Sequence, residues 1–122
     1  MSIQYIVPVL QVASLERSLA FYQERLGFAL EFSYEGFYAS VWRQGCRLHL
    51  SCGTPTPRDQ TAVEREERID VCLGVDDARA LYDGFVTAGV PFSVPLRRMP
   101  YGTEFYVRDP DGYILGFVQP AD

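Results

Sequence analysis

"IVPVLQVASLERSLAFYQERLGF" (residues 6–28) and "IDVCLGVDDARALYDGFVTAGVPF" (residues 69–92) follow one plan. Each runs from an apolar strand through a polar cap into an amphipathic helix closed by glycine. Val12 matches Val75, 63 residues later, and Gly27 matches Gly89, 62 residues later, so the second helix is one residue shorter. In the first copy Ser14 suits an N-cap, whose side chain accepts from an orphan backbone N–H. Leu15, Leu19, Tyr22 and Leu26 then form one apolar stripe, and Gly27 closes the helix in the left-handed region. In the second copy Asp76 or Asp77 is the cap, and Ala78, Leu81, Tyr82 and Phe85 make the stripe.

Strand material follows each helix: "ALEFS", "GFYASVWR" and "CRLHLSC" in the first copy, and "PFSVPL", "TEFYVR" and "YILGFVQ" in the second. Gln44-Gly45 and Asp-Pro-Asp-Gly (109–112) are the turns. Matching Gly45 to Gly112, 67 residues apart, superposes the last strands. The expectation is an α+β fold of two βαβββ modules with pseudo-two-fold symmetry. They form a single domain over 1–122, with modules at about 1–52 and 68–122. Residues 53–67, "GTPTPRDQTAVEREE", read as an exposed linker whose charges face solvent. The helix-free faces of the two mixed sheets are expected to curve into a shared cup, a natural small-molecule site.

Composition narrows the function. The net charge of −5 argues against general nucleic-acid binding, which needs a basic footprint. No apolar run approaches the roughly 18 residues of a membrane span, and the N-terminus lacks a basic, cleavable leader, so a soluble cytoplasmic protein is expected. The three cysteines form no CxxC pair and read as reduced, buried thiols.

The whole chain resembles the vicinal oxygen chelate superfamily, which includes glyoxalases, bleomycin-resistance proteins and extradiol dioxygenases. "VASLERSLAFYQERLGF" (12–28) carries the general likeness, and "MPYGTEFYVRDPDGYILGFV" (99–118) is most similar to the bleomycin-resistance branch. That branch implies antibiotic resistance by sequestration, and the superfamily implies pairing as a homodimer. Enzymes of the family hold a divalent metal through first-strand and last-strand ligands of each module. Here those positions fall on Val7 and Asp70, and on His49 and Gly116. The repeat offsets give the same pairing. Valine and glycine offer no side-chain ligand, whereas a catalytic site wants about three protein ligands. The expectation is therefore no cofactor and no metal, with His49, the only histidine, marking a pocket floor next to Asp70.

The Gln44-Gly45 turn pairs Trp42 with Arg47 and Ser40 with His49. Tyr38, Trp42, Arg47, His49 and Asp70 are thus the expected ligand-binding residues, joined by Tyr101 and Phe105. Asp70, Cys72, Gly74, Ile114, Gly116 and Val118 complete the second module's inward face. "PLRRMPYG" (95–102) reads as an irregular lip, and Arg47, Arg97 and Arg98 are expected to discourage a cationic drug. The partner is expected to be a small aromatic or amphipathic molecule, with no nucleic acid and no membrane. The alternative is a glyoxalase-like or dioxygenase-like enzyme whose metal is held by His49, Asp70 and a residue such as Glu104. A third possibility is a scaffold or regulatory dimer with a vestigial pocket. A serine hydrolase would have to combine His49 and Asp70 with Ser40 or Ser51.

Overall fold

Each copy of the repeat folds as a four-stranded mixed sheet with a helix against one face. The computed structural model describes all 122 residues, which divide into two compact units, Met1–Thr56 and Pro57–Asp122. The first unit contains β1 (Val9–Val12), α1 (Leu15–Ala20) running into a π-helical turn (Phe21–Arg25), β2 (Ala29–Tyr34), β3 (Tyr38–Arg43) and β4 (Cys46–Cys52). Its strand order is β1-β4-β3-β2, with β1 parallel to β4 and the other pairs antiparallel. The second unit contains α2 (Gln60–Arg65), β5 (Val71–Gly74), α3 (Ala78–Thr87), β6 (Phe92–Met99), β7 (Gly102–Arg108) and β8 (Ile114–Pro120). Its order, β5-β8-β7-β6, is the same pattern again.

The ladders reproduce the offsets read from the sequence. Val9 lies opposite His49 in the first sheet as Cys72 lies opposite Gly116 in the second. Ser14 caps α1 by accepting from the Arg17 N–H, and Asp77 caps α3 by accepting from the Ala80 N–H. The extra residue of the first helix has a definite place. Phe28 N–H bonds the Tyr22 carbonyl six residues back, whereas its counterpart Val90 N–H bonds Phe85 five back. The helix accommodates the added residue as a π turn, with Leu26 N–H on the Phe21 carbonyl. Both copies then close on a left-handed glycine, Gly27 at φ 75° and Gly89 at φ 76°.

Leu10, Val12, Tyr22, Leu26, Val41, Leu48 and Leu50 fill the helix side of the first sheet. The second has an aromatic core, with Phe105 stacked on Phe117 at 5.0 Å between centroids and edge-on to Tyr82, Phe85 and Phe92. Burying each such large side chain stabilises by about 1.5–3 kcal/mol.

Two expectations give way here. Residues 53–67 are not a wholly solvated linker, because α2 lies within them and its Val63 is buried with Val94, Tyr106 and Ile114. Asp59 caps this helix, and Val63 is its one buried side chain. Nor are residues 95–99 an irregular lip. β6 runs through Met99, pairing Arg97 with Glu104 and Met99 with Gly102. Pro95 is tolerated because β6 is an edge strand with an irregular register at that point.

Candidate functional site

The helix-free face of the first sheet gathers the side chains that alternation assigned to it. Tyr38 pairs with Ser51, Ser40 with His49, and Trp42 with Arg47. The Gln44-Gly45 turn fixes this register. Both residues have positive φ, 53° and 81°, the backbone of a type I′ hairpin turn. Leu48 and Leu50 point to the helix, and His49 to the opposite side, half-buried. Trp42 is 40% exposed and stays out of the helix-side core.

His49 sits in a cage of rings. Tyr38 Oη lies 2.8 Å from His49 Nδ1, and the rings of Tyr38 and Phe32 stand edge-on to the imidazole at 5.3 and 5.7 Å between centroids. The Tyr38 contact orients the imidazole. Tyr34 and Phe37 extend the aromatic surface, in edge contact with each other and exposed.

Glu31 was missed in the sequence. Its Oε1 accepts from Ser40 Oγ at 2.8 Å and its Oε2 accepts from Arg47 Nε at 2.8 Å. These bonds, Arg47 first, hold the Glu31 carboxyl below the usual carboxylate range. Simple alternation in "ALEFS" puts Glu31 on the face opposite Phe32. The structure has a β-bulge instead, since Leu30 pairs with Val41 and Phe32 with the very next residue, Ser40. The bulge lets Glu31 and Phe32 share a face. A bulge leaves little trace in a single sequence, and the only available signal was a carboxylate in a strand whose partner strands carry an unpaired arginine. Ser40, fully buried and bonded to Glu31, is a structural hydroxyl rather than a nucleophile.

In the second unit the expected site residues separate. Tyr101 is 51% exposed, and its hydroxyl donates to Glu104 Oε1 at 2.7 Å. That bond, with burial adding to it, pushes the Tyr101 pKa up to about 12. Glu104 is 1% exposed and also accepts from Arg97 Nε at 2.8 Å. Phe105, expected on the cup lining, instead lies on the helix side within the aromatic core. The longer Asp-Pro-Asp-Gly turn sets the phase, pairing Arg108 with Ile114 and Phe105 with Phe117. Asp109 Oδ1 secures that turn by accepting from the Asp111 and Tyr113 N–H groups.

The four metal-ligand positions of the repeat do not form a ligand set. Val7 precedes β1 and has no donor atom in its side chain. Asp70 precedes β5, and both its oxygens are engaged, by Arg58 at 3.2 and 3.1 Å and by the Ile114 N–H at 2.8 Å. A Cβ added at Gly116 would meet Ile69 at 3.2 Å and the Tyr106 ring at 3.3 Å, so that space is already filled. His49 has its partners within its own unit, as does Asp70. No group of three His, Cys, Asp or Glu side chains converges as metal ligands.

The expectation that Arg47, Arg97 and Arg98 repel a cationic ligand changes for the first two, whereas Arg98 forms no ion pair. Arg47 is paired to Glu31, and Arg97 to both Glu67 and Glu104, at 2.8, 2.8 and 2.7 Å. Those carboxylates, Glu67 foremost, drive the Arg97 pKa further upward and cancel its charge locally. The cysteines are free as expected, but Cys46 and Cys72 are exposed rather than buried. No helix is long and apolar enough to cross a membrane.

The model of the glyoxalase/bleomycin resistance protein/dioxygenase superfamily matches residues 2–117. Among solved structures, the chain is similar to a bleomycin-binding protein from bleomycin-producing Streptomyces verticillus, solved with copper(II)-bleomycin. The identity is 27%, the TM-score 0.74, and 99% of each chain is covered. The bleomycin resistance determinant encoded on transposon Tn5 is 23% identical at a TM-score of 0.73, covering 98% of this chain and all of that one (100%). TnmS3, an antibiotic binding protein from Streptomyces sp. CB03234, is 23% identical at a TM-score of 0.73, with 99% of each chain covered. These last two likenesses are of fold. No curated protein matches the sequence significantly.

Proposed function

The chain belongs to the glyoxalase/bleomycin resistance protein/dioxygenase superfamily, and from that premise we propose that it sequesters a small, flat aromatic or amphipathic molecule without a metal and without transforming it. The observation that carries this reading is the helix-free face of the first sheet. There Phe32, Tyr34, Tyr38, Trp42 and His49 surround the Glu31–Arg47 pair, a mostly aromatic surface with few polar groups. The 27% identical bleomycin-binding protein supports an antibiotic as ligand. With Arg47 neutralised by Glu31 on that face, a cationic glycopeptide of the bleomycin class is an acceptable candidate. The divalent-metal alternative finds no support in the donor set, since Asp70 is engaged by Arg58 and Gly116 is packed against Tyr106.

The test is a titration of Trp42 fluorescence, paired with thermal melting, against copper-free bleomycin and a panel of planar amphipathic compounds. A genuine ligand shifts the emission and raises Tm, because only a native-state binder stabilises the fold. If no compound moves either signal, the aromatic face is not a binding site. Elemental analysis giving about one divalent metal per chain, lost on His49→Ala, overturns metal independence.

The same reading includes a homodimer in the cytoplasm. Val9, Leu30, Phe32, Tyr34 and Phe37 are all exposed, apolar surface available to a second copy of the chain. The three unpaired cysteines suit a reducing compartment. Sedimentation showing a monomer at micromolar concentration counts against the dimer.

A further inference from the structure

The helix-facing side of the second sheet changes character at one end. Along most of its length it is apolar, built from Phe105, Phe117, Leu115 and Val107. At the far end of β7 the ladder instead aligns Arg98, Thr103 and Gln119 across three strands, Thr103 pairing with both of the others. Arg79, from the first turn of α3, adds a second guanidinium. With Leu96 and Arg97 these residues line a cavity of about 400 Å³.

Among the polar side chains that line this cavity, each group left free is a donor or a hydroxyl. Gln119 Oε1 is occupied by the Ala78 N–H at 2.9 Å, which leaves its amide NH₂ to point elsewhere. Thr103 contributes a hydroxyl. Arg97 enters the wall with its charge already met by Glu67 and Glu104. Arg79 and Arg98 take part in none of the ion pairs of the unit. Asp77 Oδ1 accepts from the Ala80 N–H at 3.0 Å, and neither Asp77 nor Asp83, one turn beyond Arg79 on α3, forms an ion pair with that arginine. Two guanidiniums without an ion-pair partner thus line one cavity in a chain of net charge −5. Guanidinium forks match the geometry of carboxylate and phosphate oxygens.

We propose that Arg79, Arg98, Thr103 and Gln119 form a second binding site, for a small oxyanion presented as a phosphate or carboxylate group. Leu96 supplies an apolar wall for whatever carries that group. The site shares no residue with the aromatic face of the first sheet and stands whether or not that face binds a ligand.

The experiment titrates inorganic phosphate, and separately succinate, into the full chain at constant ionic strength, following backbone amide shifts by NMR. The expected result is saturable shifts at Arg98, Thr103 and Gln119, with affinity falling at least tenfold in an Arg79→Gln, Arg98→Gln double variant. Both arginines are exposed, so the variant should keep its fold, and its unchanged spectrum elsewhere checks this. Stronger saturation by phosphate assigns a phosphate-bearing ligand, and stronger saturation by succinate assigns a carboxylate. Non-saturable shifts matched by sodium chloride, or equal affinity in the double variant, overturn the proposal.

Discussion

The faces of the two sheets turned away from α1 and α3 are the same surface used twice and treated in opposite ways. In the first, Trp42 is 40%, Phe32 43% and Tyr34 59% exposed. In the second, Val94, which holds the ladder position of Phe32, is 5% exposed, and around it Tyr106 is 8%, Glu104 1% and Ile114 0% exposed. The difference lies in the segment between the copies. There α2 brings Val63 onto Val94, Tyr106 and Ile114, and it is fastened at both sides by charge. Arg58 grips Asp70, Gln60 Nε2 donates to the Gly112 carbonyl at 2.9 Å, Arg108 grips Glu64, and Arg97 grips Glu67. A duplicated scaffold can thus keep one face available for a ligand while its own connecting segment occupies the other. The contrast makes the faces differ in what mutations do: the second should respond in stability, the first in binding.

The largest expected effect breaks the cover. Val63→Asp puts a carboxylate among Val94, Tyr106 and Ile114 with no partner, and should cost about 3–4 kcal/mol of unfolding free energy. Phe32→Ala on the open face of the first sheet should change stability by about 1 kcal/mol or less, because Phe32 is already 43% exposed and lies outside the core. Chemical denaturation of both variants decides. Comparable losses would mean that the two faces are equally buried in solution, and the contrast would fail.

Next is the buried carboxylate of the second face. Glu104→Gln keeps the shape but removes the charge that Arg97 and Tyr101 both address. A loss of about 2 kcal/mol is expected, tempered because Arg97 retains Glu67. Tyr101 should respond in the same variant. Its pKa, held at about 12 chiefly by the Glu104 hydrogen bond, should fall towards the usual 10, which ultraviolet titration reads directly.

The first face is sharpened by Trp42→Ala. If the rings there bind a flat ligand, affinity should fall by about 1–2 kcal/mol, roughly five- to thirty-fold, with little change in the melting temperature of the free protein. A stability loss without an affinity loss would place Trp42 among packing residues instead.

How far the sequence foretold this contrast differs by feature. The repeat, the helix caps, the Gln44-Gly45 register and hence the Tyr38, Trp42, Arg47 and His49 face follow from alternation and turn chemistry, which act over a few residues. Glu31 was hidden by a bulge, because one inserted residue inverts the parity that alternation relies on. Phe105 was misplaced for a related reason: the phase of β7 is set across a turn longer than the two-residue hairpin. The cover was illegible because "TAVEREE" is so polar that a single valine decides its docking, and the arginines that fix its glutamates, Arg97 and Arg108, lie 30 and 44 residues away. Long-range ion pairs have no local signature.

The smallest expected effect is on acid stability, and Glu64 sets its sign. The hydrogen bonds from Arg108, aided by Gln60, bring the Glu64 pKa from the ordinary 4.5 down to about 2, against a desolvation that opposes them. A carboxyl with a depressed folded-state pKa contributes stability that is present in full above the unfolded pKa and lost as pH falls through the folded value. The window for Glu64 is therefore from about pH 4.5 down to about 2. Both partners are partly solvated, with side-chain exposures of 36% for Arg108 and 22% for Glu64, so screening should reduce the contribution to about 1 kcal/mol or less. Glu31 in the first unit and Glu67 in the second are also depressed, by Arg47 and Arg97 respectively, and the whole protein will lose stability in acid for several reasons at once. Comparison with Glu64→Gln isolates the cover. The wild type should be the more stable protein at pH 7, and the two curves should converge as pH approaches 2. Hydrogen exchange would then localise the acid-sensitive part to α2 and its contacts on β7. Curves that stay parallel from pH 7 to 2 would show that the Glu64–Arg108 pair does not hold the cover in place, and would leave Val63 and the remaining contacts of Arg58, Gln60 and Glu67 to separate the closed face from the open one.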